Sequence, residues 1–567
     1  MEVKNRQRKA CDLCYTRKIK CDGQEPRCSN CVIYATECTH MATSRKWKPK
    51  AQRNGHTKEN DEIQSLQAQV QRLKAQLAER LAQDQVQDRT QNARQTMTAA
   101  RFEEESVDGH DNVINSMRLP PLEQALPMLG VFLNNLNSLL PLFHADTLLG
   151  LVFECYALPP QHRDPVTWAA INVVLALANQ YVPAGDSDGG ARPRTDLTAE
   201  YLNKAQSVIS TVMLGELRLL NLQTLVGMVM VLQSAHDLTP SLLMISATMR
   251  LVHKMGLHNR AASAHLDPVE KRQRARVFWL AYILDKGLSL RAQQPSVQLD
   301  DDIDLEFPSP LPDNEDDGGT AGIVITADGK ARMNFFLARV QLANIEGGVY
   351  DCLYSTRALN RTPEERSMTR DSIVSALEEW RASIPPEFGA AVVASSTSNN
   401  PTHIAFFCIL HSSSLACLTL INHAHAWDNQ WVGGLRDHGR GAPSLLLPPG
   451  WEDLVHQARD FMILFGEAWS KGVWFRWMVS CPYVSAMVLL MANNLSNLRH
   501  DHIQLDSLLV DAALLWLNEV SNEIQKEEVQ VLQNVCAEIV REVRRRRTEA
   551  ITITRGSSLL SNLVDST

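Results

Sequence analysis

The chain has 567 residues, 44% of them hydrophobic and 21% charged, with a formal net charge of −8. That length exceeds one ordinary domain, and the composition excludes a wholly disordered chain. The acidic total argues against a simple nucleic-acid binder; no run of about 18 apolar residues marks a membrane span, and MEVKNRQRKACDLC lacks the apolar core of a signal peptide. A non-secreted chain in a reducing compartment, with no membrane partner, is the expectation.

The averages conceal a division. Residues 1–60 hold 14 Lys and Arg against 6 Asp and Glu, or +8; the remainder holds 42 against 58, or −16. A small basic head on a large acidic body suggests that one part binds nucleic acid. The twelve cysteines divide the same way. Cys11, Cys14, Cys21, Cys28, Cys31 and Cys38 form one cluster. Cys155, Cys352, Cys408, Cys417, Cys481 and Cys536 are scattered and read as small core residues.

The cluster is a duplicated half, CDLCYTRKIKC and then CSNCVIYATEC. In a reducing compartment such thiols bind metal rather than pair as disulfides. Zinc takes four ligands. Two Zn²⁺ ions need eight ligand positions, and six sulfurs fill them only if two bridge. Cys11 and Cys28, the first cysteine of each half, are symmetrically placed to do so. A segment of about 40 residues cannot bury a sufficient core, so metal should supply its folding energy. Arg17, Lys18 and Lys20 equip the first half to face phosphates and base edges. The second half has no basic residue there and one acid, Glu37. Arg8 and Lys9 before the cluster, and Arg45 and Lys46 after it, complete a basic envelope that attracts DNA through counterion release.

At these residues the head resembles the fungal zinc binuclear cluster (Zn2Cys6) transcription factors. The family pattern Cys-x2-Cys-Arg-x2-Lys-x-Lys-Cys is met by Cys14, Lys18, Lys20 and Cys21, and Pro26 matches the proline joining the halves. Tyr15 stands where the family has arginine. The resemblance implies two Zn²⁺ ions and recognition of G·C-rich, CGG-like half-sites through the major groove. It puts Lys18 on the guanine-contacting position, where a donor-only side chain suits the O6 and N7 acceptors.

Residues 41–62 read as a basic linker after the head at 1–40. Ile63, Leu66, Val70, Leu73 and Leu77 then follow heptad spacing within 63–86. Two readings stand: a short coiled coil forming a weak homodimer, as the family often does at this place, or a solvated Gln-rich helix. Residues 87–112 are too polar to pack and read as a disordered linker.

From 113 to 550 the periodicity is helical almost throughout, with a tail at 551–567, so the fold class is mostly α. Pro240 opens a helix whose Leu242, Ile245, Met249 and Val252 share a face, and Gly256 can end it. Asp267, Pro268 and Glu270 mark a second helix start, with Val277, Ala281, Leu284 and Leu288 as its apolar stripe. GIVITADG suits a minor hairpin. This body resembles the fungal-specific transcription factor regulatory domain through LLPLFHADTLLGLV, MRLVHKMGLHNR and RQRARVFWLAYILDKGLSLRAQQPSVQLDDDIDLEFP. Asp285-Lys286 replaces the family's Asp-Arg, and Gln293-Gln294-Pro295 its Gly-Arg-Pro.

Enzyme motifs are missing: there is no phosphate-cradling glycine loop, no G-x-S-x-G and no H-E-x-x-H. His423/His425 and His500/His502 are i, i+2 pairs facing different ways, poor chelates. His258 reads as a packed or capping histidine and DDDIDLEF as a structural loop; Arg541–Arg547 suits an import signal or a partner patch, with a solvated helix end as the favoured reading. The expectation is a non-catalytic, nuclear, sequence-specific DNA-binding regulator of RNA polymerase II genes; the resemblance implies a pathway-specific one, for a secondary-metabolite cluster or nutrient use. Its partners would be double-stranded DNA and the transcription machinery or co-regulators, and the resemblance alone implies that the body could gate activity by binding a small-molecule effector, of no stated identity, or another protein. The alternative is a zinc scaffold that binds proteins instead of DNA.

Overall fold

The computed structural model describes residues 10–16, 20–21, 23, 26–28, 31, 37–39, 117–180, 194–309, 321–396, 401–442, 445–469 and 474–564. The chain divides into two units, residues 1–107 and 108–567, each taken here by itself. The linker at 41–62, the heptad residues Ile63, Leu66, Val70, Leu73 and Leu77, and the stretch 87–112 lie outside the described residues.

The second unit is helical from Leu122–Asn134 to Glu527–Val564. Its core is continuous, running from Met117 to Val543. Near its centre the helix Pro165–Gln180 is buried on every side from Val166 to Asn179. That explains its nearly unbroken apolar sequence: a helix packed all round needs no polar face. Asn172 is accommodated there by donating its side-chain amide to the Trp168 carbonyl, 2.8 Å away.

Two helices, His403–Ile421 and Arg476–Ser496, are long and apolar enough to cross a membrane by length and composition. Neither reads as an unbroken apolar run in the sequence, because His and Ser interrupt the first and Ser, Pro and Asn the second. In the folded unit they are mostly buried among other helices.

Local signals place several helix ends. The helix Thr239–Met255 stops at Gly256, whose φ of 71° is left-handed. A Cβ there would lie 2.8 Å from that of Ala262, so both conformation and space favour glycine. Asp267 caps Pro268–Ala292 by accepting from the Val269 and Glu270 amides. Val277, Ala281, Leu284 and Leu288 are all buried, as their spacing predicts. The only strands among the described residues, Ile323–Ile325 and Arg332–Asn334, form an antiparallel hairpin with Val324 opposite Met333.

The segment following Pro268–Ala292 is held from inside. The Asp285 carboxylate accepts from the Val297 and Gln298 amides at 2.9–3.1 Å. Lys286 donates to Ser296 Oγ at 3.0 Å and the Gln298 carbonyl at 2.8 Å, and pairs with Asp300 at 3.1 Å. Tyr282 donates its hydroxyl to the same Asp300 carboxylate. Gly347 makes room for this lysine: a Cβ there would meet Lys286 Cδ at 2.8 Å. The acids of DDDIDLEF therefore begin a loop tied to the core. His258 is packed as expected, its ring 5.0 Å from that of His253.

Two readings need correction. Arg541–Arg547 lies inside the helix Glu527–Val564, not at a helix end. Arg544 pairs with Asp511, Arg545 and Arg546 pair with Glu542, and Arg546 also donates to the His438 and Gly439 carbonyls. Those carbonyls close the helix Asn429–Gly439, where cationic donors are favoured. The scattered cysteines are also not uniformly core: Cys155, Cys408, Cys417 and Cys536 are buried, Cys352 is half-buried, and Cys481 is exposed. Burial pushes the Cys536 thiol up to about 12, as for a thiol without a nearby cation.

Candidate metal centre

The head begins with the short helix Asp12–Thr16, entered directly after Cys11. That turn brings Cys14 back beside Cys11, and Cys28 and Cys31 repeat the arrangement. All four are fully buried, while Cys21 and Cys38 are half-buried. The buried cluster of the head consists of these four cysteines, with Ala10, Leu13, Cys21 and Cys38 against it.

The thiols form two overlapping tetrads. Cys11, Cys14, Cys21 and Cys28 have sulfurs within 4.8 Å of one another, as do Cys11, Cys28, Cys31 and Cys38. Cys11 and Cys28 are common to both. The Sγ–Sγ separations are 3.7 Å for Cys11–Cys28, 3.6 Å for Cys11–Cys31 and 3.7 Å for Cys14–Cys28. A disulfide requires about 2.05 Å. Tetrahedral sulfurs each about 2.3 Å from one zinc stand about 3.8 Å apart. The donor set and its spacing therefore fit zinc and do not fit a disulfide knot.

The duplication is visible in the electrostatics. The Cys14 backbone amide draws the Cys11 thiol below its ordinary value, and the Cys31 amide does the same for Cys28. Burial instead pushes Cys31 up. The two sulfurs common to both tetrads are thus both drawn toward the thiolate, the form that ligates metal.

A closure not foreseen from the spacing joins the ends of the head. The Asp12 amide donates to the Thr39 carbonyl at 2.8 Å, and Thr39 Oγ1 donates to Asp12 Oδ2 at 3.0 Å. Both residues follow a cysteine directly, Cys11 and Cys38. That adjacency is the only sequence signal for the pairing.

Of the residues expected to meet DNA, Lys20 is described and exposed. Arg8, Lys9, Arg17, Lys18, Arg45 and Lys46 lie outside the described residues. Elsewhere the histidine pairs join no cluster of converging ligands; among the described residues, the groups with that geometry are the two cysteine tetrads.

Residues 9–48 match the family described as the fungal Zn(2)-Cys(6) binuclear cluster domain, and residues 129–382 match the fungal specific transcription factor domain. The chain is 32% identical over 436 residues to an ABC-transporter-regulating transcription factor of Aspergillus oryzae, covering 75% of this chain and 47% of the relative. A protein of the same name from Aspergillus fumigatus is 31% identical with the same coverage. The chain thus spans about half the length of these two curated relatives. The Fusaridione A cluster transcription factor of Fusarium heterosporum is 23% identical, over 75% of this chain and 77% of the relative. No solved structure matches.

Proposed function

Because the chain belongs to the fungal Zn2Cys6 transcription factors, carrying both the binuclear cluster and the fungal specific transcription factor domain, we propose that it acts in the nucleus as a pathway-specific, sequence-specific regulator of RNA polymerase II genes. The observation that carries this reading is the pair of thiol tetrads sharing Cys11 and Cys28. In this reading each tetrad holds one Zn²⁺, the two shared sulfurs bridge, and the ions supply rigidity rather than chemistry. The names of the relatives suggest transporter genes or a metabolite cluster as the kind of target.

The head works by presenting its first half to DNA. Closing the chain around metal fixes Cys14 and Cys21, the cysteines that flank Arg17, Lys18 and Lys20 in the sequence. Lys18 reads guanine edges in a CGG-like half-site, and Arg17, Lys20, Arg8, Lys9, Arg45 and Lys46 hold phosphates. Ile63, Leu66, Val70, Leu73 and Leu77 supply a weak homodimer seam. The body communicates with co-regulators or the transcription machinery and responds to a small-molecule effector.

Binding of the full chain to a CGG half-site duplex and to a scrambled duplex tests the reading. Lys18→Ala is expected to lose affinity for the CGG duplex and little for the scrambled one. Equal loss on both would remove the base-reading role. No preference in the wild-type chain would favour a zinc scaffold that binds proteins.

A further inference from the structure

The body contains a cavity of about 160 Å³ among the helices Pro268–Ala292, Phe335–Val349, Pro401–Ile421 and Arg476–Ser496. The first two belong to the region matched as the regulatory domain, and the last two follow it in sequence. The walls are mainly apolar, with Leu284, Phe335 and Phe406 among them. Pro482 also lines the cavity from within its helix. Lacking an amide hydrogen, it cannot bond the carbonyl one turn earlier, so the helix wall is interrupted at this point.

One part of the wall is polar in an unusual way. Arg339 and Glu346 lie seven residues apart, two turns along one helix, and therefore on one face. Both are more than nine-tenths buried. Their closest approach, Arg339 Nη1 to Glu346 Oε1, is 3.6 Å, an ion pair but not a hydrogen bond. Arg339 Nη1 and Glu346 Oε2 have no hydrogen-bond partner. Opposite them is Gly287, where a Cβ would lie 3.3 Å from Glu346 Oε2. An incompletely satisfied buried pair is costly, and here it lies beside an apolar space.

We propose that this cavity is a binding site for a small neutral molecule with an apolar, ring-sized body and an amide-like end. The orphan atoms are one donor and one acceptor, so the complementary group must accept from Arg339 and donate to Glu346. A carboxylate would meet Glu346 at that end, and an ammonium would meet Arg339. The size agrees: an apolar cavity of about 150 Å³ accepts benzene. A molecule seated here touches both the matched region and the helices that follow it. That contact gives the body a means of sensing the molecule, and this regulatory meaning rests on the function proposed above.

The test uses the full zinc-loaded chain and 4-fluorobenzamide as the probe, read by fluorine NMR line broadening. The amide should bind saturably, with 4-fluorobenzoate and 4-fluorobenzylamine at least about ten-fold weaker. Glu346→Gln should weaken the amide by a similar factor, and Ala416→Trp, which fills the cavity from its wall, should abolish binding. Glu346→Gln preserves side-chain shape and keeps the test decisive if the larger substitution prevents folding. Absence of saturable amide binding, equal binding of the acid or amine, or undiminished binding to Glu346→Gln would overturn the assignment. The fluorine signal does not depend on DNA. Loss of half-site preference would therefore remove the regulatory meaning and leave the site standing, whereas failure of the probe would leave the DNA reading untouched.

Discussion

Among the described residues of the head, the side chains most withdrawn from water are Cys11, Cys14, Cys28 and Cys31, all candidate ligands. In the body, the withdrawn side chains are Leu, Val, Phe and Trp from helices spread over more than 400 residues, with Met117 at one end and Val543 at the other. A segment of about 40 residues cannot bury a sufficient core, so the first arrangement depends on what its thiols hold. The second buries enough apolar surface to fold without a metal. Charge divides with it. The head carries an excess of cations for a polyanion, while the body uses its charges internally, as in the buried Arg459–Asp506 pair at 2.6 Å. A small recognition unit can be metal-built because it needs only a fixed surface; a body of several hundred residues can be held by its own apolar core.

Chelation is the strongest way to break this comparison. Zinc binding contributes on the order of 10–16 kcal/mol in zinc-finger peptides, so metal removal should unfold the head and end DNA binding. The helical circular dichroism of the body should persist; its collapse would show that the two regions are not independently stabilised. Within the head, Cys11→Ser should lose both ions if its sulfur is shared, whereas Cys14→Ser should lose one preferentially. Metal analysis by mass spectrometry separates these outcomes.

The reciprocal test lies in the body. Asp506→Ala leaves the buried Arg459 guanidinium without its bidentate partner and should cost about 3–5 kcal/mol in urea unfolding. The zinc content should not change. Lys18→Ala is smaller, about 1–3 kcal/mol on a CGG site, and should leave both metal content and body stability alone. The mildest is Gly256→Ala, which forces a side chain into a left-handed turn beside Ala262 and should cost about 1–2 kcal/mol. Thermal unfolding of the body would register it, while DNA affinity at low temperature should hold.

Much of the candidate centre was legible because its information is local. Cys-x2-Cys brings two thiols together within one turn, and repeating it predicts which sulfurs are shared. The Asp12–Thr39 closure was not legible, since nothing in either residue type specifies a partner 27 positions away. The caps at Gly256 and Asp267 were readable for the same local reason. The arginine run at 541–547 was misread because its acids, Asp511 and Glu542, reach it through helix packing and helical periodicity rather than through composition.

The sequence by itself determined the candidate thiol set, the division of charge and the mostly helical class, since cysteine spacing, residue counts and 3.6-residue periodicity act within a few turns. Only the tertiary structure decided which long apolar helices lie inside, which cysteine stays exposed, and how Lys286 is held by Asp300 and Gln298. It also decided that Arg339 and Glu346 border a cavity with one donor and one acceptor unmet. Burial and hydrogen-bond satisfaction depend on what every neighbouring helix brings to the same place, and no local pattern encodes that sum.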